Sequence, residues 1–214
     1  MLTGPTIVPD GAPTSAVVLL HGYGADGNDL IALGEAWRRR FPETVFLSPH
    51  APEELPFPGF GGRQWFPLAL RDAQEFWRGV NQAAPVLNAY LDDVLRRYHL
   101  TAQQMALVGF SQGTMMALHV GLRRSESLAA IVGFSGRLAG PEQLSTELVS
   151  RPPLQLIHGA EDDVIAVDAI HTACDALQAA GLSVDWHIRP SLGHGIDEAG
   201  LQLAETFLAN NLAG

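Results

Sequence analysis

Met105-Ala106-Leu107-Val108-Gly109-Phe110-Ser111-Gln112-Gly113-Thr114 is the stretch that decides how this chain is read. Met105–Val108 is an unbroken apolar run, the pattern of a strand covered on both faces. It runs directly into Gly-x-Ser-x-Gly, and Thr114 to about Leu122 can continue as a helix. That order describes a sharp strand-to-helix turn that holds a serine in strained geometry, with room left by small residues two before and two after. The string alone arises often by chance; the strand before it and the helix after it make it specific. Ser111 is the candidate nucleophile, against the plainer alternative of a tight turn with a structural serine.

Outward from this turn, strand-like and helix-like runs alternate. Ala16–Leu20, Thr44–Leu47, Ala129–Val132, Leu154–Ile157 and Val184–Ile188 read as strands. Helices are expected from a cap at Asn28 or Asp29 to about Phe41, over Val80–Tyr98, near Val167–Ala180, and from about Asp197 to Leu212. Continuous apolar strands alternating with helices imply an α/β fold: a mostly parallel sheet with helices on both faces. No repeat or linker divides residues 1–214, which suits one domain. The exception to the alternation is His50–Trp77, rich in proline, glycine and aromatic residues. A long apolar loop of this kind is expected to lie against a substrate pocket, with Phe60, Trp65 and Phe66 as its wall.

A serine hydroxyl needs a base. In the strand-turn-helix arrangement the chain order is Ser, then Asp or Glu, then His, with the acid after a late strand and the base in a loop before the last helix. Gly193-His194-Gly195 occupies that loop. The segment after Leu156-Ile157-His158-Gly159 offers Glu161, Asp162 and Asp163, and spacing does not choose among them. His194 would take the Ser111 proton and return it to the leaving group, while the acid holds the ring tautomer. The tetrahedral intermediate needs two main-chain donors. The amide of Gln112 is one candidate and that of Tyr23, in His21-Gly22-Tyr23-Gly24, the other.

Gly22-Tyr23-Gly24-Ala25-Asp26-Gly27 also matches a dinucleotide fingerprint, Gly-x-Gly-x-x-Gly. That reading needs an acid at the end of the next strand, which instead ends Leu47-Ser48-Pro49-His50. No His-Glu-x-x-His string or Cys/His cluster suggests zinc, and no cofactor is expected. His21 and His158 follow strands and are expected to pack at strand ends. The single cysteine, Cys174, falls in phase with Ile170 and Leu177 and reads as core.

Of the 214 residues, 47% are hydrophobic and 17% charged, with a formal net charge of −10. Such a balance disfavours nucleic acid and anionic membranes as partners. No basic region followed by an apolar stretch opens the chain, and no run is long enough to cross a bilayer, so a cytoplasmic protein without membrane insertion is expected.

Together these pieces resemble the phospholipase/carboxylesterase family of small α/β-hydrolases, which includes acyl-protein thioesterases and bacterial carboxylesterases. The matching segments are His21-Gly22-Tyr23-Gly24 with Asn28-Asp29-Leu30, Gly62-Arg63-Gln64-Trp65-Phe66, Gly109–Gly113, Phe134-Ser135-Gly136-Arg137, His158-Gly159-x-x-Asp162 and Gly193-His194-Gly195-Ile196. They span nearly the whole chain in order. The resemblance places the acid on Asp162. Many members follow that Asp with proline; here Asp163 stands there and is the runner-up. The resemblance further implies an α/β-hydrolase fold with no separate cap domain, a small-molecule acyl ester or thioester as substrate, and a homodimer as the expected assembly. Hydrolysis of short- to medium-chain esters is the leading expectation. Thioester hydrolysis on acylated proteins or lysophospholipid cleavage is the alternative on the same fold. A non-catalytic ligand-binding protein is the alternative of another class.

Overall fold

The computed structural model describes residues 1–56 and 61–212. Its strands are β1 (Thr6–Ile7), β2 (Ser15–Leu20), β3 (Thr44–Leu47), β4 (Glu53–Glu54), β5 (Arg63–Gln64), β6 (Met105–Phe110), β7 (Ala130–Phe134), β8 (Leu154–Gly159) and β9 (Val184–Arg189). Its helices are α1 (Gly27–Trp37), α2 (Ala73–Tyr98), α3 (Gln112–Gly121), α4 (Leu144–Glu147), α5 (Asp168–Ala179) and α6 (Glu198–Asn211). The main sheet runs β1-β3-β2-β6-β7-β8-β9, parallel throughout except for the antiparallel edge strand β1. Strands β4 and β5 form a small separate ribbon.

Every residue of β2, β3, β7 and β8 is buried, because each face of the sheet carries its own core. Along β6, Met105 and Leu107 point into a cluster with residues of α2, α3 and α5, whereas Ala106 and Val108 point into one with residues of α1 and α6. Both apolar clusters therefore stay intact only in one register, since a slip by one residue would exchange the faces. The strand order reverses between β2 and β6: the chain steps outward from β2 to β3, then crosses to β6 on the other side. In open parallel sheets the crevice at the carboxyl ends of two such strands is where ligands bind. Here those ends deliver His21-Gly22-Tyr23 from β2 and Ser111 from β6.

Two helices begin earlier than the apolar pattern predicts. Asp26 caps α1: its carboxylate accepts from the Asn28 amide at 2.7 Å, while the Asp29 carboxylate accepts from the Asp26 amide at 2.8 Å. This reciprocal pair fixes the start ahead of Asn28 and Asp29. Helix α2 starts at Ala73, not Val80. Asp72 accepts from the Glu75 amide, and the Glu75 carboxylate gathers the amides of Ala69, Leu70 and Arg71 at 2.6–3.0 Å. Gly79 lies in this first part because the Phe66 ring fills the space a side chain would need: a Cβ there would stand 2.2 Å from the ring.

Candidate active site

Ser111 joins β6 to α3 with φ 54° and ψ −114°, a left-handed conformation that a non-glycine residue adopts only under restraint. The restraint is visible. A Cβ on Gly109 would meet the Gly113 main chain at 2.5 Å, and one on Gly113 would stand 1.8 Å from the Leu20 carbonyl oxygen. Only glycines allow the turn to fold onto itself and onto the end of β2. The Ser111 amide donates to Phe134 O at 2.9 Å, and the Thr114 hydroxyl lies within 2.8–2.9 Å of both Gly109 O and Phe134 O.

The loops carrying Asp162 and His194 are pressed together in the same way. A Cβ on Gly159 would collide with the carbonyl oxygens of Leu192 and Gly193 at 2.2 and 2.3 Å, and the Glu161 amide donates to Leu192 O at 2.9 Å. His194 Nδ1 lies 2.8 Å from Asp162 Oδ2. Asp162 Oδ1 accepts from the amides of Val164 and Ile165 at 3.0 and 2.8 Å. Burial raises the Asp162 pKa, but the Ile165 amide, His194 and the Val164 amide outweigh it and hold the carboxyl below the usual range. An ionised acceptor there puts the imidazole proton on Nδ1 and leaves Nε2 as a base. Among the described residues the neighbouring carboxylates Glu161 and Asp163 make no such contacts; both are exposed.

Ser111 and His194 line one cavity of about 320 Å³, together with Tyr23 and Gln112. Among the described residues no hydrogen bond joins the Ser111 hydroxyl to the imidazole; such bonds often tighten only around substrate. The Phe110 ring, next to the serine, packs against the His194 ring at 4.9 Å between centroids. Gly22 approaches the serine closely enough that a Cβ there would stand 3.2 Å from Ser111 Cβ. Neither the Tyr23 amide nor the Gln112 amide has an internal acceptor among the described residues. They are two unspent donors on residues that line the same cavity as Ser111.

The segment His50–Trp77 reaches the cavity through Leu68, Arg71 and Phe76, but not through the two described aromatics expected there. Trp65 and Phe66 are 1% and 0% exposed and do not line the cavity. They belong to a clasp: Gln112 Oε1 accepts from the Trp65 amide at 2.9 Å, and Gln112 Nε2 donates to Phe66 O at 2.8 Å. The Trp65 indole donates to His21 O at 3.0 Å. The ring of His21 accepts from the Ala51 amide at Nε2, so its proton is on Nδ1, facing Gly22 O. Burial keeps that imidazole neutral by lowering its pKa. Phe60 lies outside the described residues. The apolar wall comes instead from Leu68, Phe76, Met115, Val164 and Ile165, and two arginines, Arg71 and Arg137, also border the cavity.

Two residues that carry site geometry were not assigned to it by sequence. His158 Nε2 lies 2.8 Å from Ile165 O and 3.2 Å from Asp162 Oδ2. Ser135, at φ 45°, donates its hydroxyl to Gly195 O at 3.3 Å and so steadies the His194 loop. The signal available for both was their place at the carboxyl ends of β7 and β8. Among the described residues no group of His, Cys, Asp and Glu is placed to hold a metal ion, and no helix is long and apolar enough to cross a membrane.

The phospholipase/carboxylesterase family model matches residues 4–212. The chain belongs to that family. Membership makes it a hydrolase of the carboxylesterase class with an α/β-hydrolase fold. The crystal structure of esterase PE8 superimposes with a TM-score of 0.94 at 46% identity, covering 99% of both chains. Esterase YpfH of Escherichia coli K12 is 31% identical over 92% of this chain and 82% of its own length. Acyl-protein thioesterase 1 of Neurospora crassa is 30% identical over 97% of this chain and 91% of its own.

Proposed function

We propose that this family member hydrolyses short- to medium-chain carboxylic esters through an acyl-enzyme formed on Ser111. The observation that carries the reading is the His194 imidazole, tied at Nδ1 to an ionised Asp162, on the wall of the cavity that also holds the strained Ser111. Nε2 of His194 takes the hydroxyl proton as Ser111 Oγ attacks the ester carbonyl carbon. The carbonyl oxygen becomes an oxyanion, which receives the amides of Tyr23 and Gln112. Collapse breaks the bond to the leaving alcohol, which departs with the proton held by His194. Water then repeats the sequence: it gives a proton to His194, attacks the acyl-enzyme, and the proton returns to Ser111 Oγ as the acid leaves. A cavity of about 320 Å³ is at the small end of ligand clefts and supports a short acyl chain.

Thioester hydrolysis is the second reading, supported by the similarity to acyl-protein thioesterase 1 of Neurospora crassa. The test is kcat/KM across nitrophenyl esters from acetate to laurate and across matching acyl thioesters, with Ser111→Ala as control. Turnover that peaks at short acyl esters and vanishes in Ser111→Ala is expected. Equal turnover by Ser111→Ala would overturn the proposal, and a thioester preference rising with chain length would replace the substrate class.

A further inference from the structure

Arg137 is an exception among the partly buried arginines of this chain. Arg63, Arg123, Arg124 and Arg189 each face a carboxylate: Glu54 at 3.6 Å, Glu147 at 2.9 Å, Asp92 at 2.6 Å and Asp197 at 3.1 Å. The Arg137 guanidinium has no ion pair and no hydrogen bond among the described residues. Its Nε is buried without an acceptor. What holds it is the face of Phe76, with Cζ 4.6 Å from the ring centroid. Burial lowers its pKa, yet a guanidinium stays protonated in a protein. A cation is therefore kept partly desolvated against an aromatic ring, with no ion-pair partner among the described residues.

Its position gives that cost a use. Arg137 and Phe76 border the cavity that contains Ser111 and His194. Among the described residues no Asp or Glu lines that cavity, and Arg71, which makes no ion pair among them, lines it as well. A second cavity of about 330 Å³ is also lined by Arg137 and Phe76; Asp168 borders it but, among the described residues, makes no ion pair with Arg137. The local positive charge stands against a chain whose formal net charge is −10, so it is not a reflection of the surface as a whole.

We infer that Arg137 is a specificity-determining residue that receives a carboxylate of the substrate, so that the preferred esters carry a negative charge a few bonds from the scissile carbonyl. This rests on the reading of Ser111 as nucleophile. A planar guanidinium fixed on an aromatic ring offers a fork matched to a carboxylate, and a partner supplied by the ligand satisfies donors that the free protein leaves unmet.

The test has two arms, because the charge can sit on either side of the ester. On the acyl side, nitrophenyl hemiadipate is compared with nitrophenyl hexanoate. On the alcohol side, the butanoyl ester of 4-hydroxybenzoate is compared with that of 4-hydroxybenzamide. In at least one arm the anionic member is expected to have the higher kcat/KM, by about tenfold, and the ratio should fall about tenfold in Arg137→Gln. Arg137→Lys should keep part of the preference. A preference for the neutral member in both arms, or a ratio that Arg137→Gln leaves unchanged, would overturn the inference. To separate this from failure of the Ser111 reading, binding of monomethyl adipate and methyl hexanoate is measured by calorimetry on Ser111→Ala, with and without Arg137→Gln. Tighter, salt-sensitive binding of the anionic ester that needs Arg137 supports the inference whatever residue is the nucleophile. Equal binding of the two esters contradicts it.

Discussion

His158 Nε2 stands 3.2 Å from Asp162 Oδ2, the same oxygen that lies 2.8 Å from His194 Nδ1. With Ile165 O also 2.8 Å away, the proton on Nε2 faces two acceptors, and His158 serves as a positioning donor behind the carboxylate. His158→Leu leaves the Ile165 carbonyl buried without its side-chain donor and takes one of two donors from Asp162 Oδ2, at about 1–3 kcal/mol of stability. We expect kcat/KM about tenfold lower, carried by kcat, because second-layer donors orient the groups they touch. His158→Gln, which keeps an N–H, should recover part of it. Steady-state kinetics on both variants, with urea unfolding, check this; a Leu variant with unaltered kcat would show His158 to be packing alone.

Gln112 closes the loop at Trp65 and Phe66 onto the turn that holds Ser111. Gln112→Ala strips a buried amide and a buried carbonyl of their partners, each worth about 1–3 kcal/mol. The variant should unfold at lower urea concentration by about that sum. Its main-chain amide remains, so any loss of activity should track loosening of the turn. Gln112→Glu keeps the acceptor for the Trp65 amide but sets a carboxylate oxygen against Phe66 O. It should be no more stable than the alanine variant.

His119 lies on α3, buried against the Trp77 ring at 5.5 Å between centroids. Burial first, and then the Arg123 charge, push its pKa down to about 3. Between pH 6.5 and that value the unfolded chain takes up a proton that the folded ring refuses. Stability is therefore lost as pH falls through this window. From pH 7.5 to 5 the loss assignable to His119 is about 2 kcal/mol. His119→Phe should flatten the fall in stability over that range, measured by urea unfolding at matched pH values. A slope identical to that of the parent chain would assign the effect elsewhere.

Part of the candidate site is legible in the sequence because its demands are local. Gly109, Gly113 and Gly159 mark main-chain crossings that tolerate no side chain, and the strand runs are continuous because both faces are covered. Asp162 was not separable from Glu161 and Asp163 by spacing. What distinguishes it is the pair of amides two and three residues on and the imidazole brought by another loop. Within His50–Trp77, the choice of Trp65 and Phe66 as cavity wall misled for a related reason. These two rings are taken up by partners far along the chain, Gln112 for Trp65 and the gap at Gly79 for Phe66. The actual wall gathers Leu68, Phe76, Met115, Val164 and Ile165 from separate segments. Arg137 was visible only as part of a family-like string; nothing in one sequence tells a paired arginine from an unpaired one.

The proposed reaction stands or falls with Ser111 as the nucleophile. A fluorophosphonate is added to the parent chain, to Ser111→Ala and to His194→Ala, and the modified peptide is located by mass spectrometry. One adduct is expected, on Ser111, formed rapidly in the parent, slowed by several orders of magnitude in His194→Ala, and absent in Ser111→Ala. An adduct at another residue, or equal labelling of the parent and Ser111→Ala, would contradict the account.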